Sequence, residues 1–261
     1  MKKYLYIGIV IFLNLIFYNT SFGLNFGTNI TIFDQQSDSS NPSTPSSMGY
    51  TGLGIGFEDQ ETEPNTLRGE EWDLEGIYLN GTVLSLVGQW DFINGVTSGG
   101  TEYTSGDIFI KTGSNRPAPC STDWNYVFDV DWTNGTYELY KIASGNFISV
   151  TYRTESNYWK IDVNNSDLTS IATGSFTSLV DNTLGFYGSS DHNVVTGFDL
   201  DPILENLGVN ELEFYAHFTL KCGNDELEGH GTAVPEPSSI ILLGGGLIVL
   251  GIISRRRILV S

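Results

Sequence analysis

Short runs of alternating apolar and polar residues, each closed by a turn signal, limit what this chain can fold into. The clearest runs from Tyr126 to Trp132. Tyr126, Phe128, Val130 and Trp132 fall on one face of an extended strand, and Val127, Asp129 and Asp131 on the other. A period of two does not make a helix face. Thr133-Asn134-Gly135 follows, then a second β-rich run, Thr136 to Ile142, so the segment predicts a hairpin. Trp72 to Leu79, Asn80-Gly81 and Thr82 to Val87 predict another. Asn-Gly suits such a turn because both central residues need φ > 0.

Further strands are expected at 29–33, 52–57, 107–111, 147–154, 158–163, 168–176, 185–187, 194–199 and 213–221, with one helical turn over Pro202 to Leu207. Asp34 to Met48 is rich in Ser, Pro, Gln and Asp, lacks apolar periodicity and reads as a polar linker. The expected fold is all-β, a jelly-roll-like β-sandwich over residues 50–233, preceded by a short strand and linker at 24–49.

Both ends are built differently. Lys2-Lys3 precede an almost wholly apolar run from Tyr4 to Phe17, and Ser21-Phe22-Gly23 offers small residues for cleavage. Residues 1–23 therefore read as a signal peptide removed by a signal peptidase. At the other end, Val234-Pro235-Glu236-Pro237 breaks regular structure. An uncharged run from Ile240 to Ile253 follows and includes Gly244-Gly245-Gly246, which a membrane helix accepts more readily than a soluble one. Arg255-Arg256-Arg257 then stands where a cytoplasmic stop belongs.

This order of proline motif, apolar span and basic stop resembles the PEP-CTERM family of bacterial sorting signals. The resemblance implies that Val234 to Pro237 is the sorting motif, that residues 240–253 form a transmembrane helix, and that Arg255, Arg256 and Arg257 stop it. It also implies an exosortase-type partner that cuts near the motif after transient anchoring in the inner membrane, and delivery to the cell surface or an extracellular matrix. Ile258 to Ser261 extends somewhat past the usual basic stop. Phe57 to Pro64, Trp72 to Gly76, Ser105 to Ile110, Val127 to Asp131 and Cys222 to Asp225 resemble the body of uncharacterised PEP-CTERM surface proteins, a likeness that implies no activity.

Charge narrows the role further. Taking Lys2, Lys3 and the three terminal arginines from 12 basic residues leaves seven; taking Glu236 from 31 acidic ones leaves 30. The exported part thus carries a formal charge of about −23. Such a surface repels nucleic acid and keeps an extracellular protein soluble. The expected role is structural and non-enzymatic, in an exopolysaccharide or biofilm matrix; the alternative is a carbohydrate-binding module of the same layer, and a secreted hydrolase comes last.

Candidate chemistry is sparse. Cys120 and Cys222 allow one disulfide in an oxidising compartment, closing a loop of about 100 residues and worth roughly 4–5 kcal/mol. Asp129 and Asp131, about 7 Å apart along one strand, match the carboxyl spacing of an inverting glycosidase but are expected to form a solvated sheet face. No catalytic residue and no required cofactor is assigned. Calcium would take oxygen ligands from acidic loops, and Asp199 with Asp201 is the first candidate, beside Glu58-Asp59-Glu61 and Asn224-Asp225. His192, His217 and His230 lie in no catalytic motif, and His217 is expected to be structural. For sugar stacking the candidates are Trp90, Trp124, Tyr152, Tyr158 and Trp159.

Overall fold

The computed structural model describes residues 26–32, 69–118, 121–152, 156–181, 184 and 191–235. The expected signal peptide, the strands at 52–57 and 185–187, the Glu58-Asp59-Glu61 cluster and the apolar C-terminal span lie outside them.

The chain is mostly β. β1 (Thr28–Asn29), β2 (Leu74–Asn80), β3 (Val83–Gly88), β12 (Thr177–Asp181) and β13 (His192–Asp199) form a five-stranded sheet in the order β1-β2-β3-β13-β12. A six-stranded sheet contains β6 (Ile108–Thr112), β7 (Tyr126–Asp131), β8 (Thr136–Ser144), β11 (Asp167–Ser175), β14 (Leu212–Thr219) and β15 (Glu226–Ala233). Its order is β11-β8-β7-β6-β14-β15. All pairings are antiparallel. Two small ribbons, β4 (Val96–Ser98) with β5 (Thr101–Tyr103) and β9 (Phe147–Ile148) with β10 (Lys160–Ile161), sit outside these sheets.

One apolar core joins the two large sheets. Leu74, Ile77, Leu84, Leu86, Val195 and Phe198 enter it from the first, and Ile108, Phe128, Leu139, Phe214 and Phe218 from the second. Tyr126, Phe128, Val130 and Trp132 all belong to it, as their alternation predicts. Each such side chain, fully buried, contributes about 1.5–3 kcal/mol of apolar transfer. The short helix α1 (Asp201–Leu207) has Pro202 in its first turn and Gly208 at φ 68° closing its end, and it buries Ile203 and Leu204.

Both predicted hairpins form, with adjusted boundaries. Asn80 pairs with Val83, so the first turn is Gly81-Thr82, one residue later than expected. Asp131 pairs with Thr136, and Gly135 N–H donates to the Asp131 carbonyl at 3.0 Å. Of the predicted strand at 147–154, the described residues 147–152 keep the two of β9, and the predicted strand at 158–163 shrinks to the two of β10.

Sequence patterning missed β15. Gly229 and Gly231 interrupt its apolar rhythm, and both sit in tight places: a Cβ on either would come within 3.2–3.3 Å of Ile30 and of Ile77 or Leu79, which would have to shift. Ile30 packs there because residues 30–32 lace the two sheets together. Ile30 N–H donates to Ile77 O (2.9 Å), while His230 N–H donates to Ile30 O (2.9 Å) and Ile32 N–H to Glu228 O (2.8 Å). The outer edge of β15 is thereby covered, which blocks edge-to-edge pairing.

The expected Cys120–Cys222 disulfide is not formed. Cys222 holds a free, buried thiol within the core, and burial pushes its pKa up to about 11. It packs there as a small apolar side chain. Cys120 lies outside the described residues. The connection that carries it in sequence leaves β6 from its Thr112 end, whereas Cys222 follows the Ser105–Leu220 bridge beyond the Ile108 end.

Candidate functional site

The face of the six-stranded sheet turned away from the core divides into two halves. Phe109, Trp124, Val127 and Ile161 are buried in a second small cluster, with Phe147, Tyr158 and Leu168 packed against it. The solvated face expected from Val127, Asp129 and Asp131 is therefore only half correct. Val127 is sealed because the β9–β10 ribbon brings Phe147 and Ile161 into that cluster, which sequence alternation within β7 does not reveal.

The other half is an acidic groove of about 990 Å³. The ends of β7, β8 and β11 form its floor, and the segment from Phe92 to Ser105 forms one wall. Asp129 lies directly opposite Glu138, and Asp131 opposite Thr136. Like charges placed opposite one another destabilise a sheet, and Lys160, on β10, counters them. Its ammonium acts on Asp129 and stands 3.5 Å from an Asp107 carboxylate oxygen.

Asp107 fixes this corner. Its side chain is fully buried, and its two oxygens accept the backbone N–H groups of Val130 (3.3 Å) and Ile161 (2.9 Å). One carboxylate thus ties β7 to the β9–β10 ribbon. Burial pushes its pKa up to about 7, against the opposing pull of Lys160. Burial also raises Asp129. Asp131 moves the other way, held down by hydrogen bonds from the Asn134 side chain and backbone. Hydrogen bonds from Ser170 and Tyr140 likewise lower Glu138. Two acids of the floor therefore stay ionised well below neutrality.

The other candidates have structural duties. Asp199 Oδ1 accepts the Thr82 hydroxyl (3.0 Å) and the Asp201 N–H (2.9 Å), so the pair organises the entry to α1. Burial and the neighbouring Asp199 charge raise the Asp201 pKa. The Asp225 carboxylate accepts Leu74 N–H (2.6 Å) and Glu226 N–H (2.8 Å), joining the two sheets. Among the described residues no group of three or more His, Cys, Asp or Glu side chains is placed to hold a metal ion.

His217 is stacked on Trp124 with ring centroids 5.6 Å apart, and its Nε2 lies 3.2 Å from Tyr158 O. Burial lowers its pKa to about 4, so the ring is neutral at physiological pH. His192 lies 3.3 Å from the fully buried Glu75. His230 is stacked on Tyr215 and faces Glu213 at 3.1 Å.

The proposed sugar-stacking aromatics separate cleanly. Trp90 is in the core, where its Nε1–H donates to Ser105 Oγ at 2.8 Å. Trp124 is buried, and Tyr158 is half-buried against Phe147. Tyr152 is 65% exposed and leans on Tyr103, with ring centroids 6.2 Å apart. Trp159 is half-buried, with the ammonium groups of Lys160 and Lys221 at 5.5 and 5.9 Å from its centroid. Of the five, Tyr152 alone is exposed, and none of the five is among the residues that line the groove.

The C-terminal motif follows directly on β15, the last strand among the described residues. Ala233 ends β15 in a buried position, Val234 N–H donates to Gly81 O at 3.2 Å, and the motif prolines begin one residue later. Residues 233–257 match the PEP-CTERM protein-sorting motif. The chain carries a PEP-CTERM sorting signal. No curated protein and no solved structure matches the chain. This signal marks an exported surface protein processed by an exosortase. No helix among the described residues is long and apolar enough to cross a membrane. Glu236, Pro237, the span at 240–253 and Arg255 to Arg257 lie outside them.

Proposed function

We propose that this chain is a non-enzymatic component of a bacterial surface layer or exopolysaccharide matrix. A signal peptidase removes residues 1–23, the span at 240–253 holds the protein in the inner membrane, and an exosortase-type enzyme cuts near Pro235-Glu236-Pro237. The body is a jelly-roll-like sandwich that stays outside. The sorting match over residues 233–257 carries this reading. Its position supports it: the match begins at the last residue of β15, the last strand among the described residues.

A structural role is supported by how the body uses its ionisable groups. Asp107 binds two backbone amides, Asp131 holds its own turn, and His217 is a neutral stacked ring. Each of these groups stabilises the fold.

The test replaces Pro235, Glu236 and Pro237 with alanine and measures intact mass in membrane and extracellular fractions of the native host. Wild-type protein is expected outside the cell, shortened near the motif, and the variant uncut in the membrane. Equal release of both would overturn the sorting reading.

A second reading, a carbohydrate-binding module of the same layer, is favoured by the 990 Å³ groove at the ends of β7, β8 and β11.

A further inference from the structure

We propose that a second groove, beside the start of the sorting motif, is a docking site for the sorting enzyme. It takes an apolar segment of that enzyme's extracytoplasmic surface while the motif is cut. This inference rests on the sorting reading and adds to it a contact outside the tail.

The groove encloses about 400 Å³, toward the lower end of the volumes that binding pockets span. Ile30, Leu79 and Val234 give it apolar walls, Gly231 leaves it open, and Thr28 and Thr232 add hydroxyls. Among the described residues no charged side chain lines it, although the exported part carries about −23. Val234 is 46% exposed, so this apolar surface meets solvent.

The walls come from parts of the chain far apart in sequence, residues 28–30 and 231–234, with Leu79 between them. The bonds from Ile30 to Ile77, from His230 to Ile30 and from Val234 to Gly81 bring them together. The groove therefore exists only once these segments have folded against one another. An enzyme that reads it reads a folded body.

Position decides the occupant. Val234 is a wall of the groove, and Pro235 follows it directly. The sorting match begins one residue earlier, at Ala233. An enzyme that grips Pro235-Glu236-Pro237 thus brings its own surface against the groove. Binding energy from such a non-reacting part of a substrate can be spent on the step at the cut bond. The lipid surface lies further off, because the chain from Val234 to Ile240 reaches about 20 Å at full extension. A body of this charge is also repelled by anionic lipid.

The experiment pulse-labels the full chain in its native host and follows conversion of the membrane-held form to the shortened, released one. Thr28→Glu combined with Thr232→Glu changes two exposed residues and puts charge into the groove. Insertion of Gly-Ser-Gly-Ser-Gly-Ser between Val234 and Pro235 keeps groove and motif but parts them. Each change should slow conversion about tenfold. Either variant converting at the wild-type rate would overturn the docking site and leave the sorting reading in place. Wild-type protein that is never converted would overturn both. Released wild-type protein is also sedimented with phosphatidylethanolamine–phosphatidylglycerol vesicles, and no binding is expected. Binding that Thr28→Glu with Thr232→Glu abolishes would assign the groove to lipid and overturn the enzyme contact.

Discussion

The two halves of the outer face of the six-stranded sheet share strands and hydrogen-bonding pattern but meet opposite fates. In one half Phe109 and Val127 are buried beneath the β9–β10 ribbon. In the other, Asp129, Asp131 and Glu138 stay at the surface of an open groove. Val127 and Asp129 lie two positions apart on the same strand. What divides them is the reach of the ribbon, which ends at Lys160 and Ile161 and is pinned there by Asp107. A covering element of a few residues therefore decides whether a sheet face is core or open surface.

This contrast can be broken most forcefully in the covered half. Phe109→Ala removes a fully buried ring that touches Trp124, Phe147 and His217. A loss of about 3–5 kcal/mol is expected, read from denaturant unfolding.

A smaller effect is expected at the boundary. Asp107→Asn leaves one acceptor oxygen where two backbone amides need one each, at a cost of about 1–3 kcal/mol in acid. It also changes the response to pH. Folding raises the Asp107 pKa from the ordinary aspartate range to about 7, so the folded state holds the extra proton between about pH 4 and pH 7. The contribution of this group to stability is complete below that window and is lost as pH rises through it. Asp129 acts in the same direction, and Asp131 and Glu138 in the opposite one. Wild-type unfolding midpoints measured across this range should include a fall that Asp107→Asn reduces. An unchanged profile would show that Asp107 titrates normally.

The least effect is expected on the groove floor. Thr173 is exposed opposite Glu138, and Thr173→Ala should change stability by less than about 0.5 kcal/mol. A loss comparable to that of Phe109→Ala would mean that the two halves are not energetically distinct.

Legibility in the sequence follows the same division. Within β7 the inner face was readable, because Tyr126, Phe128, Val130 and Trp132 alternate strictly and the Asn-Gly turn fixes their register. Both hairpins were readable for the same local reason. The strand β15 was not, since its glycines answer to Ile30, almost 200 residues earlier in the chain. Of the groove's acids, Asp129 and Asp131 were visible in the sequence while Glu102 and Glu138 were not singled out, and Asp107 and Lys160, which organise it, carry no signal of their own. Gly106-Asp107 before an apolar strand resembles any turn, and only the arrival of Ile161 and Lys160 makes that carboxylate a buried link.

Taken alone, the sequence determined the all-β character, the hairpins that local turn chemistry dictates, and the sorting signal. Each depends on residues that are near neighbours in the chain, so their physics is complete within a short window. The tertiary structure decided the rest. It left Cys222 a buried free thiol, gave Asp199 and Asp225 hydrogen-bond partners distant in sequence, and set an acidic groove on the outer face of the six-stranded sheet. Burial and electrostatic environment arise from segments distant in sequence, and no local pattern encodes which of them will meet.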